Sequence, residues 1–260
     1  MSELDLSKAL DAARDAAQAA AVVIRHYWRK GVAVELKSDD TPVTVADREA
    51  ELAIREILHK ALPQAAIYGE EFGRDAGTHD LMWMVDPLDG TKSFVRRTPF
   101  FSTQIALMHR GELVLGVSHA PVYGESMWAS AGGGTWFDGE RVNVAATRDM
   151  AQASISTGNI KTLTKDARWQ ALGAMIRDSN RIRGYGDFCH YHLLARGSLD
   201  LVIESDVNIL DVAALAVIVR EAGGTFTDIH GGALTLDTTS VLAGTPAIHA
   251  RALERLSAAV

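Results

Sequence analysis

Cysteine is nearly missing: Cys189 stands alone in 260 residues, so no intramolecular disulfide and no cysteine-based zinc cluster can form. No stretch approaches the roughly 18 charge-free apolar residues of a membrane span. The first 28 residues lack both a basic leader and an uninterrupted apolar core, so they do not read as a signal peptide. A cytoplasmic protein is expected, with no membrane partner. Basic side chains are outnumbered, 26 against 33 acidic ones, which leaves a formal net charge of −7. That balance argues against a nucleic-acid binder, which needs clustered Lys and Arg to replace counterions. No internal repeat or low-complexity linker appears, so freely hinged domains are not expected.

What remains is an ordinary globular composition, 47% hydrophobic and 23% charged. A chain of this length buries roughly 70–75% of its unfolded surface and needs no covalent staples. It can be one large domain or two intimate halves. Leu6, Leu10, Ala13, Ala17, Ala20 and Ile24 recur at helical spacing, with Ser2 or Asp5 as candidate caps. A short strand follows over 32–36, then a turn cluster over 38–42. Thr44 or Asp47 opens a second helix running to about Leu62. Strands are expected over 65–68, ending at Gly69, and over 81–85, ending at Asp86.

Between residues 100 and 144, apolar runs separated by Arg110-Gly111, Tyr123-Gly124, Gly132-Gly133-Gly134 and Asp138-Gly139 predict an antiparallel meander. The glycine triplet lacks the Lys and helix of a phosphate loop and reads as a hairpin turn. Beyond residue 150 the pattern alternates: strands over 155–157, 199–204 and 240–244, and helices over 165–178, 187–196, 210–222 and 247–259. The expectation is therefore an α+β half (1–150) and an α/β half (151–260) packed as one compact unit.

The chemistry concentrates in Asp86-Pro87-Leu88-Asp89-Gly90-Thr91, directly after the strand Trp83-Met84-Val85. Two carboxylates three residues apart at a strand end can converge on one point, and the Leu88 carbonyl between them is another hard oxygen. Gly90 lets backbone approach an anion, and a helix beginning here would turn the amides of Gly90 and Thr91 outward as a phosphate cradle. This donor set suits Mg²⁺; an acidic turn that merely caps a helix is the plainer reading. Glu70-Glu71 after Gly69 can be a solvated loop pair or can face something positive. Asp211, among Ile209, Leu210, Val212 and Ala213, can be an N-terminal helix residue or a ligand.

Taken together, Gly69-Glu70-Glu71, Trp83-Met84-Val85-Asp86-Pro87-Leu88-Asp89-Gly90-Thr91 and Leu210-Asp211-Val212-Ala213-Ala214 resemble the three signatures of the inositol monophosphatase family. Lys37-Ser38 and Thr44-Val45-Ala46-Asp47 match upstream, so the resemblance covers essentially the whole chain. It implies a layered αβαβα sandwich of the inositol monophosphatase and fructose bisphosphatase type and a Mg²⁺-dependent phosphomonoesterase, usually dimeric. The apolar stretch 100–136 is then a candidate homodimer interface. One metal would be held by Glu70, Asp86 and the Leu88 carbonyl, and a second by Asp86, Asp89 and Asp211, with a third, weaker one near Glu70. Thr91 and Asp47 would assist the attacking water, and Asp89, Gly90 and Thr91 would hold the phosphate. The chain departs from the family in having Leu210 where Trp usually precedes the third ligand. A haloacid-dehalogenase type of phosphatase is disfavoured, because its two Asp are two residues apart rather than three.

For the leaving group, Gly184-Tyr185-Gly186-Asp187 looks like an element of the histidinol-phosphate phosphatases, as do Glu70-Glu71-Phe72-Gly73 and Thr91-Lys92-Ser93-Phe94-Val95-Arg96. Histidinol carries an ammonium and an imidazole, which Asp187 and Glu204 could accept, with Arg183 as a further substrate contact. Alternatively Asp187 caps a helix, Glu204 ends a strand at the surface, and the arginines are solvated. The expected activity is hydrolysis of histidinol phosphate. An inositol-, sugar- or nucleotide 3′-phosphatase is the enzymatic alternative, and a metal- and phosphate-binding regulator the non-enzymatic one. His190 and His192, two residues apart on a helix, face different directions and do not read as a zinc pair. Cys189 reads as a structural thiol, and the five dispersed tryptophans as packing residues.

Overall fold

The computed structural model describes residues 4–30, 34–36, 42–75 and 78–259. The Lys37-Ser38 motif, the Ser2 cap and most of the turn cluster before Pro42 lie outside the described residues. Helix α1 (Leu6–Lys30) buries a stripe of Ala9, Ala13, Ala16, Ala17, Ala20, Ala21 and Ile24, and these small side chains let it pack close against its neighbours. Asp5 caps it, accepting from the Lys8 amide at 3.2 Å. A two-stranded ribbon, β1 (Val34–Leu36) and β2 (Pro42–Thr44), leads into α2 (Val45–Ala61).

The first sheet contains β3 (Ala65–Gly69), β4 (Gly73–Arg74), β5 (Thr78–Asp89), β6 (Ser102–His109), β7 (Glu112–Ala120), β8 (Glu125–Ser130), β9 (Gly134–Phe137) and β10 (Glu140–Val142). Its order is β10-β9-β8-β7-β6-β5-β3-β4, with the expected antiparallel meander over β6 to β10, which β5 extends by one strand, and a parallel pair β3–β5. The short helix α3 (Thr91–Val95) follows β5. Where the sequence suggested a strand ending at Asp86, β5 continues to Asp89. Asp86 stands opposite Gln104 and Asp89 opposite Ser102, so three steps on β5 face two on β6. That extra residue is a bulge, and Pro87, which has no amide hydrogen to offer, is tolerated in it.

The second sheet is built from β11 (Ser154–Thr157), β12 (Arg181–Arg183), β13 (Leu201–Ser205), β14 (Thr225–Thr227) and β15 (Ser240–Gly244), in the order β12-β11-β13-β15-β14. Helices α4 (Arg168–Asp178), α5 (Asp187–Ala195), α6 (Ile209–Glu221) and α7 (Pro246–Ser257) alternate with these strands.

The pleat of β5 separates two cores. Leu81, Trp83 and Val85 face the alanine stripe of α1 and the apolar side of α2, whereas Met82 and Met84 face α6. Helix α6 lies between the sheets and is apolar on every side, as a helix covered all round must be. Leu210 is buried in that central layer, so Leu fills the place before Asp211 as an apolar side chain. On the far face, Ile155, Leu201, Ile203 and Leu242 pack against α4 and α7. The layers run helix, sheet, helix, sheet, helix, which is the expected αβαβα sandwich.

Candidate active site

Five chain segments deliver carboxylates to one cavity of about 290 Å³. The β5 bulge turns Asp86 and Asp89 the same way, and its loop is self-bracing. The Leu88 amide donates to Asp86 Oδ1 at 2.9 Å, and Thr103 Oγ1 donates to the Pro87 carbonyl at 2.8 Å. Gly90 then adopts φ +89, and a Cβ there would stand 2.5 Å from the Phe100 carbonyl, so only glycine lets the chain turn into α3. Asp211 arrives from the other sheet layer as the third residue of α6. Its Oδ2 accepts from the Asn208 amide at 2.8 Å, while Asn208 Oδ1 accepts from the Leu210 amide at 3.0 Å. Helix capping and convergence on the cavity, the two readings of Asp211, therefore coexist. One carboxylate oxygen each of Asp86, Asp89 and Asp211 lies within 4.8 Å of the others.

Burial first, and the surrounding carboxylates second, push all three acids upward. Asp86 and Asp89 stand well above the ordinary carboxylate range, and Asp211 is pushed up to about 7. Glu70, at the end of β3, is among the charges that raise Asp86 and Asp211. A cluster of hard anionic oxygens that repel one another, with the Leu88 carbonyl beside them, fits a divalent hard cation.

Asp47, in the first turn of α2, does not itself line the cavity but is joined to its lining residue Thr91, and a matching device holds it there. Thr44 donates its amide to Asp47 Oδ2 at 2.8 Å and its hydroxyl to the same oxygen at 2.6 Å. The other oxygen, Oδ1, accepts from Thr91 Oγ1 at 3.0 Å, and Thr91 Oγ1 also lies 3.1 Å from the Leu88 carbonyl. Burial raises Asp47 above the usual range in spite of the Thr44 and Thr91 hydrogen bonds.

The same cavity is also lined by Asp187 and Glu204. Asp187 holds φ +45, uncommon for a residue with a side chain, and opens α5 without supplying a side-chain cap. Burial and then the Glu204 charge push it up to about 6. Glu204 is buried at 4% exposure rather than ending its strand at the surface. It accepts from Tyr191 Oη at 2.8 Å and from the Asn159 amide at 3.1 Å, and His190 Nε2 lies 3.2 Å away. Burial would lift Glu204, but His190, Tyr191 and Asn159 hold it below its ordinary value.

Arg183 is the expected substrate contact that the fold does not bring in. It lies on edge strand β12, exposed, donates to the Ile182 carbonyl at 2.7 Å, and is not among the cavity's lining residues. The alternation exposed Arg181, half-buried Ile182, exposed Arg183 is that of an edge strand with one inward face. Lys92, by contrast, does line the cavity. His190 and His192 diverge as expected, the first toward Glu204 and the second to Ser118 Oγ at 2.8 Å. Burial pushes the Cys189 thiol up to about 11, away from nucleophilic use.

Sequence reasoning missed the support around the acids. Ser102 Oγ donates to Asp89 Oδ2 at 3.3 Å and is itself held by Gln104 Nε2 at 2.8 Å. Glu51, one turn after Asp47, is fully buried beneath the loop that carries Glu70. Its signal was present: Ala46, Ala50, Ile54 and Leu58 mark the buried side of α2, and Glu51 is a charge on that side.

Residues 5–260 match the profile of the inositol monophosphatase family. A histidinol-phosphatase of Streptomyces coelicolor is 38% identical over 84% of this chain and 84% of its own length. An inositol-1-monophosphatase of Caulobacter vibrioides is 36% identical over 84% of this chain and 88% of its own. The crystal structure of the extragenic suppressor protein suhB from Bartonella henselae superposes with a TM-score of 0.88 and 30% identity, covering 96% of this chain and 98% of that one. An acidic cavity between two sheets, built on these three motifs and spanning the matched length, makes the chain a phosphatase of the inositol monophosphatase family.

Proposed function

We propose that the chain hydrolyses histidinol phosphate to histidinol and phosphate. The observation that carries the reading is a second pair of acids, Asp187 and buried Glu204, lining the same cavity as the Asp86–Asp89–Asp211 cluster. A phosphate ester with a cationic leaving group gives both sets of acids a positive partner, whereas a neutral polyol brings no charge to Asp187. The Streptomyces relative supports this choice. The Caulobacter relative supports the alternative, an inositol or sugar phosphate.

Glu70, Asp86, the Leu88 carbonyl, Asp89 and Asp211 are the donors that would hold Mg²⁺. The cation, when bound, neutralises the phosphate, acidifies water and stabilises the leaving alkoxide. The chain's own contribution is positioning and proton traffic. Thr91 Oγ1 can accept a proton from the attacking water as it donates its own to Asp47 Oδ1, and the raised pKa of Asp47 makes it a better base than a solvated carboxylate. The amides of Gly90 and Thr91, at the start of α3, would receive phosphate oxygens together with Lys92 at the rim. The pairing of Thr91 with Asp47 favours chemistry over a purely binding role, because retention of ligands alone does not require a relay.

Phosphate release from histidinol phosphate, inositol 1-phosphate and a nucleotide 3′-phosphate, each with Mg²⁺, tests the reading. The expected result is a clear preference in kcat/KM for histidinol phosphate. Similar turnover of all three esters refutes the substrate, and no turnover refutes the catalytic role.

A further inference from the structure

Glu51 combines two features that packing alone does not explain. It is fully buried on α2, and both of its oxygens are directed at the backbone that follows Glu70. Oε2 accepts from the Glu71 amide at 2.7 Å and Oε1 lies 3.4 Å from the Phe72 amide. The fit extends to Gly69, where a Cβ would stand 1.9 Å from Glu51 Oε1, so carboxylate and loop occupy the same space except for the missing side chain. Arg55 completes the clamp. Its Nε donates to Glu51 Oε1 at 2.8 Å, Nη1 to Asp75 Oδ1 at 2.6 Å and Nη2 to the Gly73 carbonyl at 2.7 Å. The turn from Glu71 to Asp75 is thereby tied to α2 at four points, while the Glu70 amide is tied to β5 through the Val85 carbonyl at 3.1 Å.

A buried carboxylate–guanidinium pair is a weak device for stability, since apolar side chains of similar volume often do as well or better. It is a strong device for fixing a backbone, because each hydrogen bond has a direction. Asp47 and Glu51, one turn apart on the same helix, thus serve two sides of one cavity: Asp47 holds Thr91, and Glu51 holds the segment that aims Glu70.

We propose that Glu51 is a positioning residue that sets the Glu70 carboxylate against Asp86 and thereby tunes cation binding on the Glu70 side of the site. The proposal rests on the reading of Glu70 as a cation ligand. Groups behind a ligand typically alter metal affinity roughly 10- to 100-fold.

The test is a calorimetric titration of the metal-stripped full-length chain with Mg²⁺ alone, in wild type, Glu51→Gln, Glu70→Gln and the double variant. Glu51→Gln, close in size but uncharged, is expected to weaken Mg²⁺ binding roughly 10- to 100-fold. In the Glu70→Gln background the same change is expected to have almost no further effect, since the group it positions is gone. Equal weakening in both backgrounds, or none in either, overturns the proposal and leaves Glu51 a structural residue. Unchanged affinity in Glu70→Gln alone overturns the ligand reading and the proposal together. Arg55→Lys, which shortens the clamp but spares Glu51, is expected to weaken Mg²⁺ binding in the same direction. It carries the test if Glu51→Gln does not fold, and unchanged affinity there overturns the proposal.

Discussion

Replacing Asp211 with Asn is expected to make the metal-free protein more stable while depriving it of its response to Mg²⁺. The carboxyl is pushed from an ordinary 3.8 up to about 7, chiefly by burial and then by Glu70 and Glu204, against the Asn208 hydrogen bond. The folded state therefore holds this proton more tightly than the unfolded chain does. As pH rises from about 4 to 7 the unfolded state releases its proton first, so stability falls across that window, and the full cost applies above it. At ~1.4 kcal/mol per pKa unit the cost is at most about 4 kcal/mol, part of it shared with the neighbouring acids. Asn keeps an oxygen for the Asn208 amide, so the α6 cap survives the change. With roughly 2–4 °C per kcal/mol for chains of this size, the variant in chelator at pH 8 gains several degrees in Tm. Wild type gains about 2.7 kcal/mol from Mg²⁺ at a hundred times its Kd, and the variant much less. Scanning calorimetry at pH 8 and pH 5, with chelator and with Mg²⁺, reads all four conditions. The gap in chelator should shrink at pH 5, where folded wild type is largely protonated at Asp211. A lower Tm for Asp211→Asn in chelator at pH 8, or a gap indifferent to pH, refutes the reasoning.

The hydroxyl of Thr91 is expected to carry the relay to Asp47. Thr91→Ser should keep most of the turnover and Thr91→Val should lose roughly 10²-fold or more in kcat, measured as phosphate release at saturating Mg²⁺. The opposite sign of pH dependence is expected from His119, buried in the first sheet with its ring pushed down to about 4 by burial and then by Arg25. Its unfolded form takes up a proton first as pH falls below about 6.5, so stability is lost toward pH 4. In the Mg²⁺-loaded protein, His119→Leu should flatten the fall of Tm between pH 6.5 and 4.5.

Most elements were legible because their causes are local. The Thr44-to-Asp47 start of α2, the glycine-punctuated meander and the glycine stop after α6 each lie within a few residues of what they signal. The acids were legible as a set because Asp86 and Asp89 share a strand end and Asp211 interrupts an apolar run. Long-range relations were not. The β5 bulge depends on the register with β6, which the spacing of Asp86 and Asp89 does not reveal. Arg183 was expected at the site because it precedes Gly184-Tyr185-Gly186-Asp187, yet it belongs to edge strand β12 and only Asp187 turns inward. Glu204 is held by Tyr191 and His190, thirteen and fourteen residues upstream on another element, so no local pattern could have distinguished a buried acceptor from a surface strand end. Glu51 lay on the apolar side of α2, but its target amides are twenty residues away.

Helix α6 has one more consequence. A rod that is greasy on all sides has little to tell it which way to face, because rotating it exchanges one apolar surface for another. Its polar grips sit at the two ends: Asn208 and Asp211 at the start, and at the finish Arg220, donating to the Phe226 carbonyl, and Glu221, accepting from the Gly132 and Gly134 amides. The ends act as keys that fix its angular setting, and the middle can exchange apolar residues of similar volume. Asp211 is thus both part of the acidic cluster and one of the teeth that orient the central helix. Volume-conserving drift along the shaft can leave the cluster undisturbed, whereas a change at Asn208, Arg220 or Glu221 can turn Asp211 away from Asp86 and Asp89 without altering a single residue of the cavity.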